Sequence, residues 1–322
     1  VRNAVIWRSG SQILGQIITW ASTFLVIRIL SPSDYGLYAM TAVVLGLLSL
    51  MNGYGFANAL IQRREVSPML LRQVLGMLLA LNLALAAIQF AAAPLVAAYY
   101  GQPIVADLLR VQALIYLTNP YQALGYAVLS RQMDFRRQAQ VNVASGMLAA
   151  LAALLGALGG LGIWTLVLAP LVGFGSRALG TTLAARMFIL PSFDLRGTRE
   201  LARYGGVMTL GQFLWFLQTQ LDIAIAGRAF DPHALGIYTT SLFLTQLFVN
   251  KFVPPLNEVA FSAYARVQED PAAIANGFLK SLRIVWLAGV PFSFGLAATA
   301  EPAVAGLMGE KWLQTVPVIV VL

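Results

Sequence analysis

Four ionisable side chains, Arg8, Arg177, Asp222 and Lys251, fall inside long apolar stretches of the sequence. A charge at the centre of a membrane helix costs roughly 2.5–3.5 kcal/mol on insertion scales, so such residues face a cavity or a partner. Three cations and one acid suit the capture of an anionic group, with the acid left for a proton or a cation. Polar residues follow two of these charges at helical spacing. Ser11, Gln12, Gly15, Gln16, Thr19, Ser22 and Thr23 continue from Arg8, and Thr209, Gln212, Phe216, Thr219 and Gln220 lead to Asp222. Both stripes can line a wet cavity, with Gln12, Gln16, Thr19, Gln212 and Thr219 as its hydrogen-bonding groups. They can equally be interhelical hydrogen bonds between packed spans.

Each charge also has a structural alternative. Arg8 and Arg177 lie within reach of a membrane surface to which a long side chain can snorkel. Lys251 precedes Pro254-Pro255, a pair expected to break its helix and free carbonyls for the ammonium. Asp222, deep in its segment, is either an ion-coupling site or the buried partner of Arg28 or Arg8. Arg28 and Arg228 close two apolar segments at equivalent places, as gate residues or as helix C-terminal charges.

Several chemistries are excluded. The sequence has no Cys and one histidine, His233, so it cannot build a thiolate or His-based metal centre, and no cofactor is implied. No large polar loop gathers carboxylates, His or Arg as a glycosyltransferase or polymerase would need, so no catalytic residue and no enzyme activity are expected. The net charge of +8 is spread between apolar runs, unlike the basic face of a nucleic-acid binder.

The elements that position these residues are membrane spans. Hydrophobic residues make up 59% of the 322 and charged residues 11%, with mean hydropathy +0.75, against about 45–50% and about 25% in soluble domains. Apolar runs predict helices near 4–30, 35–61, 73–99, 104–130, 139–159, 163–189, 206–229, 234–261 and 278–299, with a tenth starting near Thr315. Most are long enough for a hydrocarbon core of about 30 Å. Fourteen of the 21 Lys and Arg fall in one set of alternate loops. By the positive-inside rule, those loops and the N-terminus are cytoplasmic.

The spans also repeat. Arg28, Pro32, Gly36 and Tyr38 stand in register with Arg228, Pro232, Gly236 and Tyr238, and a weaker echo pairs Gly101 with Gly309. Ser31 and Asp231 suit N-caps with Pro at N1. Six helices separate the two copies, so the halves should be parallel and related by an axis along the membrane normal. The expected organisation is a six-helix lobe over 1–190, an amphipathic cytoplasmic linker over 191–205 and a partial second lobe over 206–322. That second lobe is expected to stop before it is complete.

The segment from Arg28 to Tyr38 resembles the link after the first helix in polysaccharide and lipid-linked oligosaccharide flippases of the multidrug/oligosaccharidyl-lipid/polysaccharide exporter superfamily. Ala59 to Arg63, Arg131 to Arg137, Leu221 to Arg228 and Met308 to Trp312 are similar to further segments of that family. The resemblance implies an all-α, polytopic transmembrane bundle of two six-helix lobes around a central cavity, truncated here in the second lobe. It implies a bacterial inner-membrane protein that turns polyprenyl-diphosphate-linked oligosaccharide from the cytoplasmic to the periplasmic leaflet by alternating access. The expected partners are the bilayer, that lipid-linked substrate, and the polysaccharide polymerase and export machinery. A drug/cation antiporter of the same superfamily is the alternative.

Overall fold

A computed structural model describes residues 19–52, 60, 61, 63, 66–194, 199–266 and 270–322. All regular structure among them is helical: α1 (Thr19–Ile29), α2 (Pro32–Ser49), α3 (Pro68–Tyr100), α4 (Ile104–Gln112), α5 (Ile115–Arg131), α6 (Phe135–Leu158), α7 (Ile163–Ala184) and α8 (Arg199–Ala229) come first. They are followed by α9 (Pro232–Thr245), α10 (Leu247–Arg266), α11 (Pro271–Ala298), α12 (Ala300–Leu307), a 3₁₀ turn (Glu310–Thr315) and α13 (Val316–Val321). Of these, α3, α6, α7 and α11 are long and apolar enough to cross a membrane.

Helix starts have a common chemistry. The Ser31 hydroxyl accepts from the Asp34 amide at 3.3 Å, while the Asp34 carboxylate accepts from the Ser31 amide at 2.9 Å, a complete capping box before Pro32. In the second copy, the Asp231 carboxylate accepts from the Ala234 amide at 2.7 Å before Pro232. Gly36 and Gly236 are both buried. The repeat extends one helix further, because Ser67 and Asp270 cap α3 and α11, each followed by Pro at N1. These caps start α3 and α11 five and seven residues before the expected positions 73 and 278. The weaker echo also holds in backbone terms: Gly101 has φ 66° and Gly309 φ 95°, a left-handed geometry that glycine adopts without steric cost.

By residue contacts the chain divides into Val1–Leu235 and Gly236–Leu322. In the first unit, α6 and α7 form a helical hairpin across Gly159–Gly162, and a Cβ on Gly173 of α7 would come within 2.9 Å of the Ala149 Cβ. Close approach through small residues is how membrane helices pack without a hydrophobic driving force. Leu60, Leu75, Leu78, Leu124 and Met187 form an apolar core. Here Arg131 at the end of α5 donates to the carbonyls of Leu60, Ile61 and Arg63, tying two of the family-like segments together.

Several buried polar groups in this unit are paired across helices. The Tyr116 hydroxyl donates to Gln89 Oε1 at 3.1 Å, Gln112 Nε2 donates to the Thr41 hydroxyl at 2.9 Å, and Asn82 Nδ2 donates to the Asn52 carbonyl at 2.9 Å. Gln89 Nε2 also donates to the Leu109 carbonyl at 2.7 Å. The Leu109 carbonyl keeps its helix bond from the Ala113 amide at 3.0 Å as well. The backbone beyond tightens to Leu114 N–Val111 O and Tyr116 N–Ala113 O, and the single helix expected over 104–130 becomes α4 and α5.

In the second unit Trp312 is fully buried, and its carbonyl accepts from the Thr315 hydroxyl at 2.7 Å. Phe248 stacks on Phe252 and Phe292, with ring centroids 4.8 and 5.3 Å apart. Pro254-Pro255 does not break the eighth span as expected. Both prolines lie inside α10, and the interruption falls earlier, at Gln246 between α9 and α10. A proline removes one amide donor and crowds the preceding turn, which a helix accommodates by a kink without ending.

Candidate functional site

The first unit holds a cavity of about 370 Å³ between α1, α2, α6 and α7. Thr19, Ser22 and Thr23 line it from α1, Tyr35 and Tyr38 from the first turns of α2, and Thr165 and Arg177 from α7. Thr19 and Arg177, both expected at a cavity, are therefore brought together. Two hydroxyls are already used as donors: Ser22 to the Ala150 carbonyl at 3.2 Å and Thr23 to the Thr19 carbonyl at 2.7 Å. Their lone pairs remain available as acceptors.

Two polar atoms at this cavity are buried without a hydrogen-bond partner, Arg177 Nε and Thr165 Oγ1. Thr165 is 1% exposed. A buried donor left unpaired costs about 1–3 kcal/mol, so these two atoms stand out among the groups at this cavity. Among the described residues, no carboxylate lines the cavity.

A second groove, of about 410 Å³, runs between α2 and α8. Gln212, Trp215, Phe216, Thr219 and Gln220 line it from α8, and Ala42, Gly46 and Leu50 from α2. The approach is close because Gly46 has no side chain: a Cβ there would lie 2.8 Å from the Phe216 ring. The Thr219 hydroxyl donates to the Trp215 carbonyl at 3.0 Å. Gln212 and Thr219 thus sit together, in a different groove from Thr19 and Arg177. Trp215 and Tyr35 were not anticipated as site residues. The signal available was the helical stripe itself, which includes position 215 as the neighbour of Phe216.

The remaining candidates lie elsewhere. Arg8, Gln12 and Gln16 are outside the described residues, as is the Thr209 side chain. Asp222 is exposed on α8. Because α8 starts at Arg199 instead of 206, Asp222 lies 23 residues, about 35 Å, from its start, and seven residues, about 10 Å, from its end at Ala229. Lys251 is an exposed residue in the second turn of α10. Arg28 is exposed near the end of α1. The Arg228 guanidinium stacks 4.8 Å above the Tyr99 ring. Beside it, a Cβ on Gly227 would come within 2.8 Å of Tyr100, so the ends of α3 and α8 fit closely there.

Apolar helices long enough to span, polar side chains bonded between them, and cavities lined by charge and amides define a multi-pass α-helical membrane protein built like a transporter. Residues 25–317 match the family described as polysaccharide biosynthesis protein, and the chain belongs to that family. It is 26% identical over 314 residues to the succinoglycan biosynthesis transport protein ExoT of Rhizobium meliloti, covering 96% of this chain and 64% of that protein. It is 23% identical over 298 residues to the lipopolysaccharide biosynthesis protein WzxC of Escherichia coli, covering 91% and 60%. The chain therefore spans less than two thirds of these relatives' length. Among solved structures, the fold matches the lipid II flippase MurJ in an inward closed conformation, with TM-score 0.76, 13% identity, and coverage of 98% of this chain and 71% of that one. It also matches an inward-facing multidrug resistance MATE family transporter of the MOP superfamily, with TM-score 0.69, 16% identity, and coverage of 98% and 79%. The chain shares the helical fold of these two structures.

Proposed function

We propose that the protein works as a flippase, turning polyprenyl-diphosphate-linked oligosaccharide repeat units from the cytoplasmic to the periplasmic leaflet of the bacterial inner membrane by alternating access. The observation that carries this reading is the buried, unpartnered Arg177 Nε at a hydroxyl-lined cavity, in a chain of the polysaccharide biosynthesis family. A diphosphate supplies the acceptors that Arg177 and Thr165 lack. Guanidinium is suited to this task because its planar fork matches phosphate oxygens and it stays charged in a low dielectric. The named activities of ExoT and of MurJ, a transport protein and a flippase, support the same direction.

In this reading residues 1–190 form the first lobe, 191–205 the cytoplasmic linker and 206–322 the described part of the second, with the N-terminus cytoplasmic. Gln212 and Thr219 face the sugars, and Arg8, Gln12, Gln16 and Lys251 are further substrate-contact candidates. Asp222 couples transport to an ion gradient or holds a charge partner. Arg28 and Arg228 belong to the outer gate, where the Arg228–Tyr99 stack and the Gly227–Tyr100 contact separate when the cavity opens outward. No step breaks a covalent bond, so no enzyme chemistry is assigned. The bilayer is the constant partner, and polymerase and export machinery take the flipped unit. A drug/cation antiporter would place an acid where the cavity between α1, α2, α6 and α7 has Arg177.

The test is reconstitution of the protein in vesicles with a fluorescent polyprenyl-diphosphate oligosaccharide, following its protection from an external glycosidase. Flipping well above empty vesicles is expected, and a rate equal to empty vesicles would refute the reading.

A further inference from the structure

We infer that Trp215 is a stacking platform for a pyranose ring, and that the α2–α8 groove is where the protein senses which sugar it carries. This rests on the flippase reading above and extends it to a specificity residue. The argument begins with depth. Trp215 is sixteen residues after Arg199 and fourteen before Ala229, which at 1.5 Å per residue places it about 24 and about 21 Å from the two ends of α8. Membrane tryptophans that anchor a helix sit at its ends, in the interfacial belts. Trp215 is at the middle, and its indole is 67% exposed.

Its neighbours are not those of a lipid-facing residue. Gln212, Thr219 and Gln220 share its groove, and uncompensated amides facing hydrocarbon cost several kcal/mol. Neither glutamine has a hydrogen-bond partner among the described residues. Although α8 is 31 residues long, it is not among the four helices apolar enough to span by composition. This face therefore meets water or a polar ligand.

The composition selects the ligand class. A pyranose has an apolar face of axial C–H groups and an equatorial rim of hydroxyls. The flat indole meets the first, since its face is electron-rich and attracts C–H donors. The glutamine amides, each with two donors and an acceptor, match the rim. A few convergent polar groups in a mostly apolar groove of this size are typical of small-ligand sites. Phe216, held against Gly46, fixes the groove wall beside the platform. A diphosphate would find no cation here, and a prenyl chain would leave the amides unsatisfied.

The experiment is saturation-transfer NMR on the protein in phosphatidylcholine nanodiscs, which contain no sugar. Methyl pyranosides of gluco, galacto and 6-deoxy-manno configuration serve as probes. At least one should receive saturation, strongest at the C–H protons of one ring face. Trp215→Phe should keep most of the signal, and Trp215→Leu should lower it by tenfold or more. Trp286→Leu, which removes another exposed indole, should leave it unchanged. Absence of saturation for every pyranoside, or equal saturation in Trp215→Leu and the unsubstituted protein, would overturn the inference. Measuring flipping in the same variants separates the two readings. If the unsubstituted protein flips lipid-linked oligosaccharide but Trp215→Leu transports each repeat unit at the same rate, the platform is wrong and the flippase reading stands. If pyranosides bind through Trp215 but nothing is flipped, the flippase reading fails and the platform stands.

Discussion

The two cavities share α2 and little else. Its first turns present Tyr35 and Tyr38 to a chamber containing Arg177 and threonine hydroxyls, and its later turns present Ala42, Gly46 and Leu50 to a groove containing an indole and amides. In the proposed reading, one helix separates a site for concentrated negative charge from a site for a neutral, many-hydroxyl ring. A lipid-linked sugar requires both properties, because its diphosphate and its sugars make opposite demands. The first needs a fixed cation and the second needs weak, numerous and replaceable contacts. Binding must also be loose enough to reverse on the other side of the membrane, which favours two moderate sites over one tight one.

The comparison breaks most severely at the charge. Removing one charge-assisted contact of about 1.5–3 kcal/mol from a diphosphate should lower transport by about ten- to a hundredfold. Arg177→Gln is therefore expected to fall by that amount in the vesicle assay, with Arg177→Lys retaining part of the rate. Gly46→Leu attacks the other cavity. Its side chain must displace Phe216, so a loss of about 1–3 kcal/mol in detergent unfolding and a weaker pyranoside signal are expected. Unaltered Trp215 chemistry in that variant would show that the α2 wall is dispensable.

Thr165→Val gives the sharpest contrast of sign. Its hydroxyl is buried with no partner, so replacing it with a methyl should raise stability by up to about 1 kcal/mol. Transport should decline severalfold if the hydroxyl meets phosphate. A stabilised variant with full transport would make Thr165 a packing residue. The smallest effect is expected where the ends of α3 and α8 meet. Gly227→Ala crowds a tyrosine ring that can move by a few tenths of an ångström, shifting the inward–outward balance more than overall stability. Distances between labels at the ends of α3 and α8 would report it.

The repeat made much of the fold legible. Register at Pro32/Pro232 anticipated two cap structures, because those are set by local backbone chemistry, and the Gly101/Gly309 echo falls on two positions of positive φ. The starts of α3 and α11 were equally local, in Ser67-Pro68 and Asp270-Pro271, but polar residues near them masked the signal in an apolar-run reading. The break after α4 had no such signal: it is a turn at Ala113 and Leu114 inside an otherwise continuous apolar run.

The site was legible in its residue types and less so in its grouping. Helical spacing placed Gln212 and Thr219 on one face, and the cost of a buried cation marked Arg177. That Arg177 shares its chamber with Thr19, while the α8 stripe opens into a different groove, follows from how α2 packs between α1 and α8. No periodicity encodes that packing. Trp215 escaped notice because tryptophan in a membrane helix reads as an anchor until its distance from both ends is known.

The most direct test of the central claim is the rate at which vesicle-reconstituted protein protects a labelled polyprenyl-diphosphate oligosaccharide, measured for the unsubstituted protein and Arg177→Gln side by side. The account requires rapid protection in the first and a rate about ten- to a hundredfold lower in the second, at equal reconstitution and equal thermal stability. Equal rates in the two proteins would contradict it.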